Sequence, residues 1–438
     1  VYASYRASTN GYSWGTSSRI LAGSNGTDEW FCNWGGYKEV NDFLWFNDNS
    51  RYSNIYFEFM PAITRAGVTL ELIRDLTFLA EDVQKRYMAE IRTARAMWMF
   101  DMLNMYGPVA AVVDRDQLLN PDNNYLPEVP ELSWYVNFLV TELTEAANDL
   151  PAVASEWGRI TKGTALMQLL KLHMHQKQWV QAESISRAIM DLGIYSLQEV
   201  YSSVWHVDNQ RNSEIIFALP STANQSNVSH QSMPTILPGD YQSPAGNRTQ
   251  GWNGFRIYWS FYDTFDSTDQ RLNTLLRYYP SRTGIKDARE AVNGINGAIP
   301  MKYSEDPASA GVWSGIDIVV YRYADVILCR AEALNEISGP TAEAIDLINQ
   351  VRERSGLKDL DIAGFDKESL RDHILAERGW EFYMEGLRRE DLIRHGKYIS
   401  KAHERGATMA KDYNVVYPIP TAAIRENPRI NQNPGYTH

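Results

Sequence analysis

Cysteine, basic charge and long apolar runs are all scarce in this chain of 438 residues. Only Cys32 and Cys329 occur, and their settings, a loop rich in tryptophan and a helical run, favour two small buried side chains over a disulfide. No apolar run approaches the ~18 residues that a membrane-spanning helix needs. The net charge of -12 argues against a nucleic-acid partner, because no basic excess is present to neutralise phosphates.

Catalytic and metal-binding motifs are scarce as well. The sequence contains neither a G-x-S-x-G nucleophile elbow nor a Walker-type phosphate loop. Asp263, Asp266 and Asp269 could supply the two carboxyl groups of a glycoside hydrolase or the oxygen ligands of a calcium ion. Residues 120–124 offer similar oxygen ligands, but neither segment matches the twelve-residue calcium-binding hand loop. We therefore expect no catalytic residue and no cofactor or metal, with a structural calcium left open.

Helical spacing of apolar residues dominates both ends of the chain and predicts a mostly α-helical protein. The predicted helices cover residues 1–23, 54–75, 80–106, 132–150, 161–176, 179–192, 323–337 and 341–354. Two pairs, 161–192 and 323–354, occupy about 34 residues each and carry alanines where helices must approach closely. This pattern predicts tetratricopeptide-like pairs that form a curved scaffold. The alternative is two unrelated helical hairpins.

The middle of the chain has a different character. From residue 201 to 320 the helical period disappears, glycine, proline, serine and asparagine become frequent, and short β-like runs such as 214–219 occur. Long irregular insertions in compact proteins are usually functional. We predict one domain over residues 1–438, in which a helical part (1–200) precedes a loop-rich ligand-binding region (201–320). A helical pair, a further helix and a tail (321–438) complete it.

Tryptophan is frequent in the predicted loops, where a large aromatic side chain is expected to pack against the core or to bind a ligand. Trp98 and Trp380 lie on predicted helices and are expected in the core. An exposed indole face can instead stack on the polarised C–H groups of a sugar ring, while amides and guanidinium groups bind its hydroxyls. The predicted carbohydrate-binding residues are Trp30, Trp34, Trp45, Trp252, Asn253, Arg256, Tyr258, Trp259 and Trp313. The alternative is that the loop tryptophans fill joints between the helices and the irregular region.

Residues 376–394 predict one further helix, which packs on one side and carries a ladder of charges on the other. Glu381, Glu385 and Arg389 succeed one another at i, i+4. Two carboxylates one turn apart can act as acid and base. Glu385, however, has Arg388 and Arg389 within reach, and Asp391 has Arg388 and Arg394, so we interpret these charges as structural ion pairs.

The same stretch carries a family resemblance. The pattern ERxxEFxxEGxRxxDLxR at 377–394, together with PIP at 418–420, NP at 427–428 and QNPGY at 432–436, resembles the signature of the SusD/RagB family. The resemblance implies a surface-exposed lipoprotein that binds nutrients, usually glycans, without catalysis. Such proteins deliver their ligand to a SusC-like TonB-dependent transporter in the outer membrane. A RagB-like peptide-binding role is the first alternative, and a glycoside hydrolase is the second.

The family resemblance also predicts where the protein is located. The chain begins in what looks like the middle of an amphipathic helix, and family members carry an export signal and a lipid-modified cysteine upstream of this point. We therefore expect a lipid-anchored protein on the surface of a Gram-negative bacterium, with its anchor outside the present sequence.

Overall fold

The computed structural model describes residues 2, 23–32, 34–122, 125–223, 231–246, 251–290, 296–309 and 312–437. Its α-helices are α1 (Tyr37–Asn41), α2 (Ser50–Arg74), α3 (Glu81–Tyr106), α4 (Arg115–Leu119), α5 (Leu132–Asp149), α6 (Lys162–His175), α7 (Trp179–Met190), α8 (Ser232–Ile236), α9 (Trp259–Tyr262), α10 (Tyr323–Ser338), α11 (Ala342–Arg354), α12 (Lys367–Phe382), α13 (Arg388–Arg394), α14 (Tyr398–Glu404) and α15 (Thr421–Glu426). The fold is therefore mostly helical, as predicted. The predicted first helix, 1–23, lies almost wholly outside the described residues.

The long helices pack in sequence as a continuous layer. Helix α2 packs on α3, α3 on α5, α5 on α6, α6 on α7, and α7 on α10, which also contacts α11 and α12. The two predicted pairs, α6–α7 and α10–α11, are thus confirmed as helices and lie against each other through α7 and α10. Ala182 and Ala331 are fully buried there, because small side chains allow close approach of the helices. The two helical pairs therefore pack side by side in one scaffold.

Local sequence signals set the ends of these helices. Helix α3 stops at Gly107, whose φ of 80° suits glycine, and Pro108 follows it. The Thr161 side chain accepts a hydrogen bond from the backbone N–H of Thr164 and so caps the start of α6. Thr341 caps α11 in the same way through Ala344. None of the helices in the described ranges combines the length and apolar composition needed to cross a membrane.

Short antiparallel strand pairs organise the region between the helical blocks. The strands are β1 (Trp30–Cys32), β2 (Ile215–Leu219), β3 (Phe255–Ile257), β4 (Leu275–Leu276), β5 (Tyr278–Ser281), β6 (Gly284–Asp287), β7 (Ile299–Pro300) and β8 (Ile318–Arg322). They pair as β1 with β3, β2 with β8, β4 with β7 and β5 with β6. The β-like run at 214–219 is confirmed as β2, and its pairing with β8 ties the insertion to the start of α10. Cys32 and Cys329 are buried free thiols, as predicted.

The stretch predicted as one helix over 376–394 is two helices. Helix α12 ends at Phe382, and Met384 and Gly386 adopt left-handed φ values of 66° and 76° before α13 begins. The turn between the helices is fixed from outside. Glu29 accepts a hydrogen bond from the N–H of Met384 at 2.7 Å, and the N–H of Arg389 donates to the Gly23 carbonyl at 3.0 Å. The early loop therefore breaks the helix that residue periodicity predicts.

The charges of this stretch are buried rather than exposed. Glu381 is 0% exposed and forms ion pairs with Arg271, Arg322 and Arg354. Burial alone would raise the pKa of Glu381, but the three guanidinium groups outweigh it and hold the pKa below its ordinary value. Buried ions are tolerated only when paired and hydrogen-bonded in this way. The prediction that these charges lie on the face opposite the packed side is therefore wrong, although the prediction of structural ion pairs is confirmed.

The partners of two acids also differ from those predicted. Glu385 pairs with Lys302 at 2.6 Å and Arg322 at 2.7 Å, not with Arg388 or Arg389. Asp391 pairs with Arg394 at 2.7 Å, as predicted, and also with Arg378 at 2.9 Å. The network thus fastens the 201–320 region and β8 onto α12.

Candidate functional site

Pairing of β1 with β3 brings the first aromatic loop beside the segment 251–262. Trp30 lies opposite Ile257, Phe31 opposite Arg256 and Cys32 opposite Phe255. The two segments are more than 200 residues apart in sequence, and the N–H of Tyr258 extends their contact by donating to the Glu29 carbonyl at 3.0 Å. Most of the predicted carbohydrate-binding residues therefore lie near one another in space.

Two of those residues are part of the core and cannot contact a ligand. Trp30 is 0% exposed and packs on Phe255 with ring centroids 4.8 Å apart. Arg256 is 2% exposed and donates to the carbonyls of Phe255, at 2.7 Å, and Ile236. Burial lowers the pKa of Arg256 to about 10. The prediction that these two residues bind carbohydrate is therefore corrected, because β1 turns alternate side chains inward and Trp30 is one of them.

Trp34 and Trp252 form the first half-buried aromatic pair. The Trp34 indole N–H donates to the Trp252 carbonyl at 3.3 Å, and the ring centroids lie 6.2 Å apart at 50°. Gly254 permits this contact, since a Cβ there would lie 2.6 Å from the Trp34 ring and 2.4 Å from the Thr235 carbonyl oxygen. The Asn253 side-chain oxygen accepts from the N–H of Gly239 at 3.2 Å. This amide therefore helps to shape the loop.

Trp259 is at the centre of a second aromatic group on α9. Its ring lies 5.2 Å from that of Tyr262, and the Arg289 guanidinium carbon lies 4.2 Å above the Trp259 centroid. The indole N–H of Trp259 donates to the side-chain oxygen of Asn296, and Arg289 also forms an ion pair with Asp263. A half-buried ring beside an amide, a guanidinium and a carboxylate provides both a stacking face and hydrogen-bonding groups.

Tyr258 connects this group to the first strand. Its ring centroid lies 4.7 Å from that of Phe31, with the two rings tilted by 32°, and its hydroxyl accepts a hydrogen bond from Arg405 at 3.4 Å. We use the term aromatic platform for Trp34, Trp252, Tyr258, Trp259 and Tyr262. Each of these five side chains is half-buried, so each combines a fixed position with an accessible surface.

Sequence reasoning missed the residues that the β5–β6 hairpin adds beside the platform. Tyr278 is 56% exposed, and the Arg277 guanidinium carbon lies 4.9 Å from its ring centroid. Asp287 orients Arg277 through an ion pair at 2.7 Å. The only sequence signal was a run of tyrosines flanked by arginine, which does not show that Tyr278 is exposed.

Trp45 and Trp313 lie apart from the platform in their contacts. The Trp45 ring packs 4.5 Å from Tyr417 and 5.1 Å from Phe43, and its indole N–H donates to the Val40 carbonyl at 2.8 Å. It therefore fills the joint between the early loop and the C-terminal tail. The Trp313 carbonyl accepts from the Ser309 hydroxyl at 2.5 Å, and its side chain is half-buried.

The clustered aspartates have separate structural partners. Asp263 pairs with Arg289, Asp266 accepts from the N–H and hydroxyl of Thr268, both at 2.8 Å, and Asp269 pairs with buried Arg271 at 2.7 Å. Among the described ranges, no group of three or more histidine, cysteine, aspartate or glutamate side chains is placed to hold a metal. In the other calcium candidate, 120–124, residues 123 and 124 lie outside the described part of the chain.

Comparison with known proteins finds similarity to SusD-like proteins. A model of the SusD family matches residues 296–436. A SusD-like protein of Formosa agariphila is 25% identical over 416 residues, which cover 86% of this chain and 77% of the relative. The starch-binding protein SusD of Bacteroides thetaiotaomicron is 23% identical over 484 residues, and the match covers 94% of this chain and 84% of the relative. A solved laminarin-binding SusD-like protein superimposes with a TM-score of 0.84 at 23% identity. The match covers 99% of this chain and 97% of that protein.

Proposed function

The chain belongs to the SusD/RagB family, and we propose that it binds oligosaccharides at the cell surface through the aromatic platform. The observation that carries the proposal is that the pairing of β1 with β3 brings together two distant segments, which carry five half-buried aromatic side chains next to the paired strands. Sugar rings stack on such faces, and shallow stacking leaves many hydroxyls hydrated. We therefore expect modest affinity, which suits a protein that must release its ligand.

We further propose that the protein is lipid-anchored at the outer membrane of a Gram-negative bacterium and passes its ligand to a SusC-like TonB-dependent transporter. Family membership supports this step, and the relatives named for starch and laminarin binding support a glycan as the ligand. Detergent extraction of the native outer membrane, followed by affinity capture of this protein, should recover the transporter at near-equal amounts. Recovery of this protein without a transporter would contradict the delivery step.

A binding panel tests the ligand class. Soluble polysaccharides in native gels and oligosaccharides and peptides in calorimetry should show binding to at least one glycan. Binding to peptides alone would instead support the RagB-like alternative. Release of reducing ends from a bound polysaccharide over hours would support a hydrolase, whereas binding without release is the result we expect.

A further inference from the structure

A cavity of about 510 Å³ lies on the other side of the short helix α9. Ser260, Phe261 and Thr264 line this cavity, whereas Trp259 and Tyr262 of the same segment belong to the platform. The cavity volume lies within the roughly 300–1,000 Å³ range of small-molecule sites. The platform and the cavity therefore share one wall, so that a single bound chain could contact both.

Trp380 of α12 gives this cavity an aromatic wall. Its indole N–H donates to the Thr264 hydroxyl at 2.9 Å, and its ring lies 6.2 Å from Phe265 and 6.0 Å from His373. The sequence placed Trp380 in the core, but the side chain is only half-buried and lines the cavity. These contacts hold the ring in place, so that it offers a fixed stacking surface.

The floor of the cavity is electrically neutral. Arg388 forms a bidentate pair with Asp28, with both nitrogen–oxygen distances at 2.8 Å. Both side chains are largely buried, so neither charge is available to a ligand without leaving the other unpaired.

The rim of the cavity carries two lysine side chains whose ion pairs are weak. Lys397 lies 3.4 Å from Asp372, and Lys401 lies 2.7 Å from Glu404. In each pair both side chains are at least a third exposed, and such surface ion pairs contribute about 0–1 kcal/mol. The two ammonium groups can therefore turn toward a ligand at little cost.

Arg405 adds a further positive charge to the cavity. Its guanidinium donates to the carbonyls of Gly26, at 3.2 Å, and Asn41, and to the Tyr258 hydroxyl at 3.4 Å. It pairs with no acid among the described residues. The lining charges of the cavity thus sum to one net positive charge within a protein whose net charge is -12. An acidic ligand would be repelled by most of the surface and attracted here.

We propose that this cavity is a second carbohydrate subsite, specific for a sugar unit that carries a carboxylate or sulfate group. The inference rests on the proposed glycan-binding function. Trp380 stacks on the C–H face of the ring, Ser260 and Thr264 bind its hydroxyls, and Lys397 and Lys401 bind its anionic group. Carboxylate and sulfate share this recognition chemistry, and the probes below distinguish them.

Titration of monosaccharides tests the subsite without knowledge of the natural glycan. Glucuronate or glucose 6-sulfate should bind, whereas glucose, which lacks the charge, should bind at least about tenfold more weakly. Whichever anionic sugar binds more tightly identifies the anionic group. Equal binding of glucose and both anionic sugars would overturn the proposal. Inorganic sulfate that competes as well as glucose 6-sulfate would also overturn it, since the site would then bind anions without recognising sugar.

Variants of opposite charge give matched controls. Replacement of both rim lysines (Lys397→Gln and Lys401→Gln) should weaken anionic sugar binding about tenfold, and Glu404→Gln, in the same cavity, should strengthen it. No change in either variant would contradict the assignment. Trp134→Ala, which removes a 46% exposed tryptophan of α5 outside both the cavity and the platform, should leave monosaccharide binding in the cavity unchanged. Retention of a neutral polysaccharide depends on the platform alone, so failure of the subsite and failure of the proposed function give different results.

Discussion

The buried carboxyl group of Glu29 makes the stability of this fold depend on pH. Burial raises the pKa of Glu29 from 4.5 to about 8, and the hydrogen bond from the Met384 N–H opposes only part of this shift. The second carboxyl oxygen, Oε2, is buried without a hydrogen-bond partner among the described residues. At neutral pH the group is therefore protonated in the folded protein and ionised in the unfolded chain.

The sign of the effect follows from proton binding. Between pH 4.5 and about pH 8 the folded state holds a proton that the unfolded state has released, so the free energy of unfolding falls as the pH rises. At about 1.4 kcal/mol per pH unit, the loss across this interval is on the order of 5 kcal/mol. His175, whose pKa burial lowers from 6.5 to about 4, has the opposite effect within that interval. Wild-type stability should therefore fall most steeply between pH 6.5 and pH 8.

Glu29→Gln isolates this contribution. Glutamine keeps the oxygen that accepts the Met384 N–H and has no proton to lose. Urea denaturation of both proteins at steps between pH 4.5 and pH 8 gives the difference in free energy of unfolding, in which His175 and other groups cancel. The free energy of unfolding of the variant, relative to that of the wild type, should increase continuously as the pH rises. A difference that stays constant across the interval would refute the reasoning.

Four further substitutions test the scaffold by thermal denaturation. Glu381→Ala should lower the free energy of unfolding by about 3–5 kcal/mol, because it leaves Arg322 and its neighbours buried with too little negative charge. An unchanged thermal midpoint would contradict the ion-pair network. Trp30→Ala removes a fully buried core side chain and should lower the free energy of unfolding by about 3–5 kcal/mol. Trp34→Ala should lower it by less, because Trp34 is only half-buried. Equal losses of stability would contradict this difference in burial. Lys177→Gly should stabilise the protein by about 1 kcal/mol, because exposed Lys177 has a φ of 55°; a loss of stability would exclude backbone strain there.

The helical scaffold could be predicted because its signals are local. Apolar spacing and end signals such as Gly107 and Thr161 lie within the segments they define, and the predicted and observed bounds agree closely at α3, α6 and α10. The stacking of the two helical pairs also followed, because each pair alone leaves an apolar face uncovered.

The ion pairs and the helix break of residues 376–394 could not be predicted in the same way, because their partners are distant in sequence. Sequence spacing suggested pairs one helical turn apart, whereas Glu385 pairs with Arg322 and Lys302, 63 and 83 residues away. The helix break at Met384 depends likewise on Glu29. Periodicity contains no information about contacts of this range.

The arrangement of the candidate site could be predicted only in part. The sequence identified the two aromatic segments, and β1–β3 pairing places them together. It could not show which side chains point inward, so Trp30 and Arg256 were wrongly included and exposed Tyr278 was omitted. Burial of individual loop residues depends on tertiary packing, which composition does not reveal.

Glycan retention by a platform variant tests the central claim most directly. With a polysaccharide that the wild type binds, Trp34→Ala combined with Trp252→Ala should weaken retention in affinity gels by more than about tenfold. Trp134→Ala is the matched control, because Trp134 is a 46% exposed tryptophan on α5, outside the platform. The account predicts loss of retention in the double variant alone, with its thermal midpoint lowered only modestly. Full retention by a folded double variant would contradict the account.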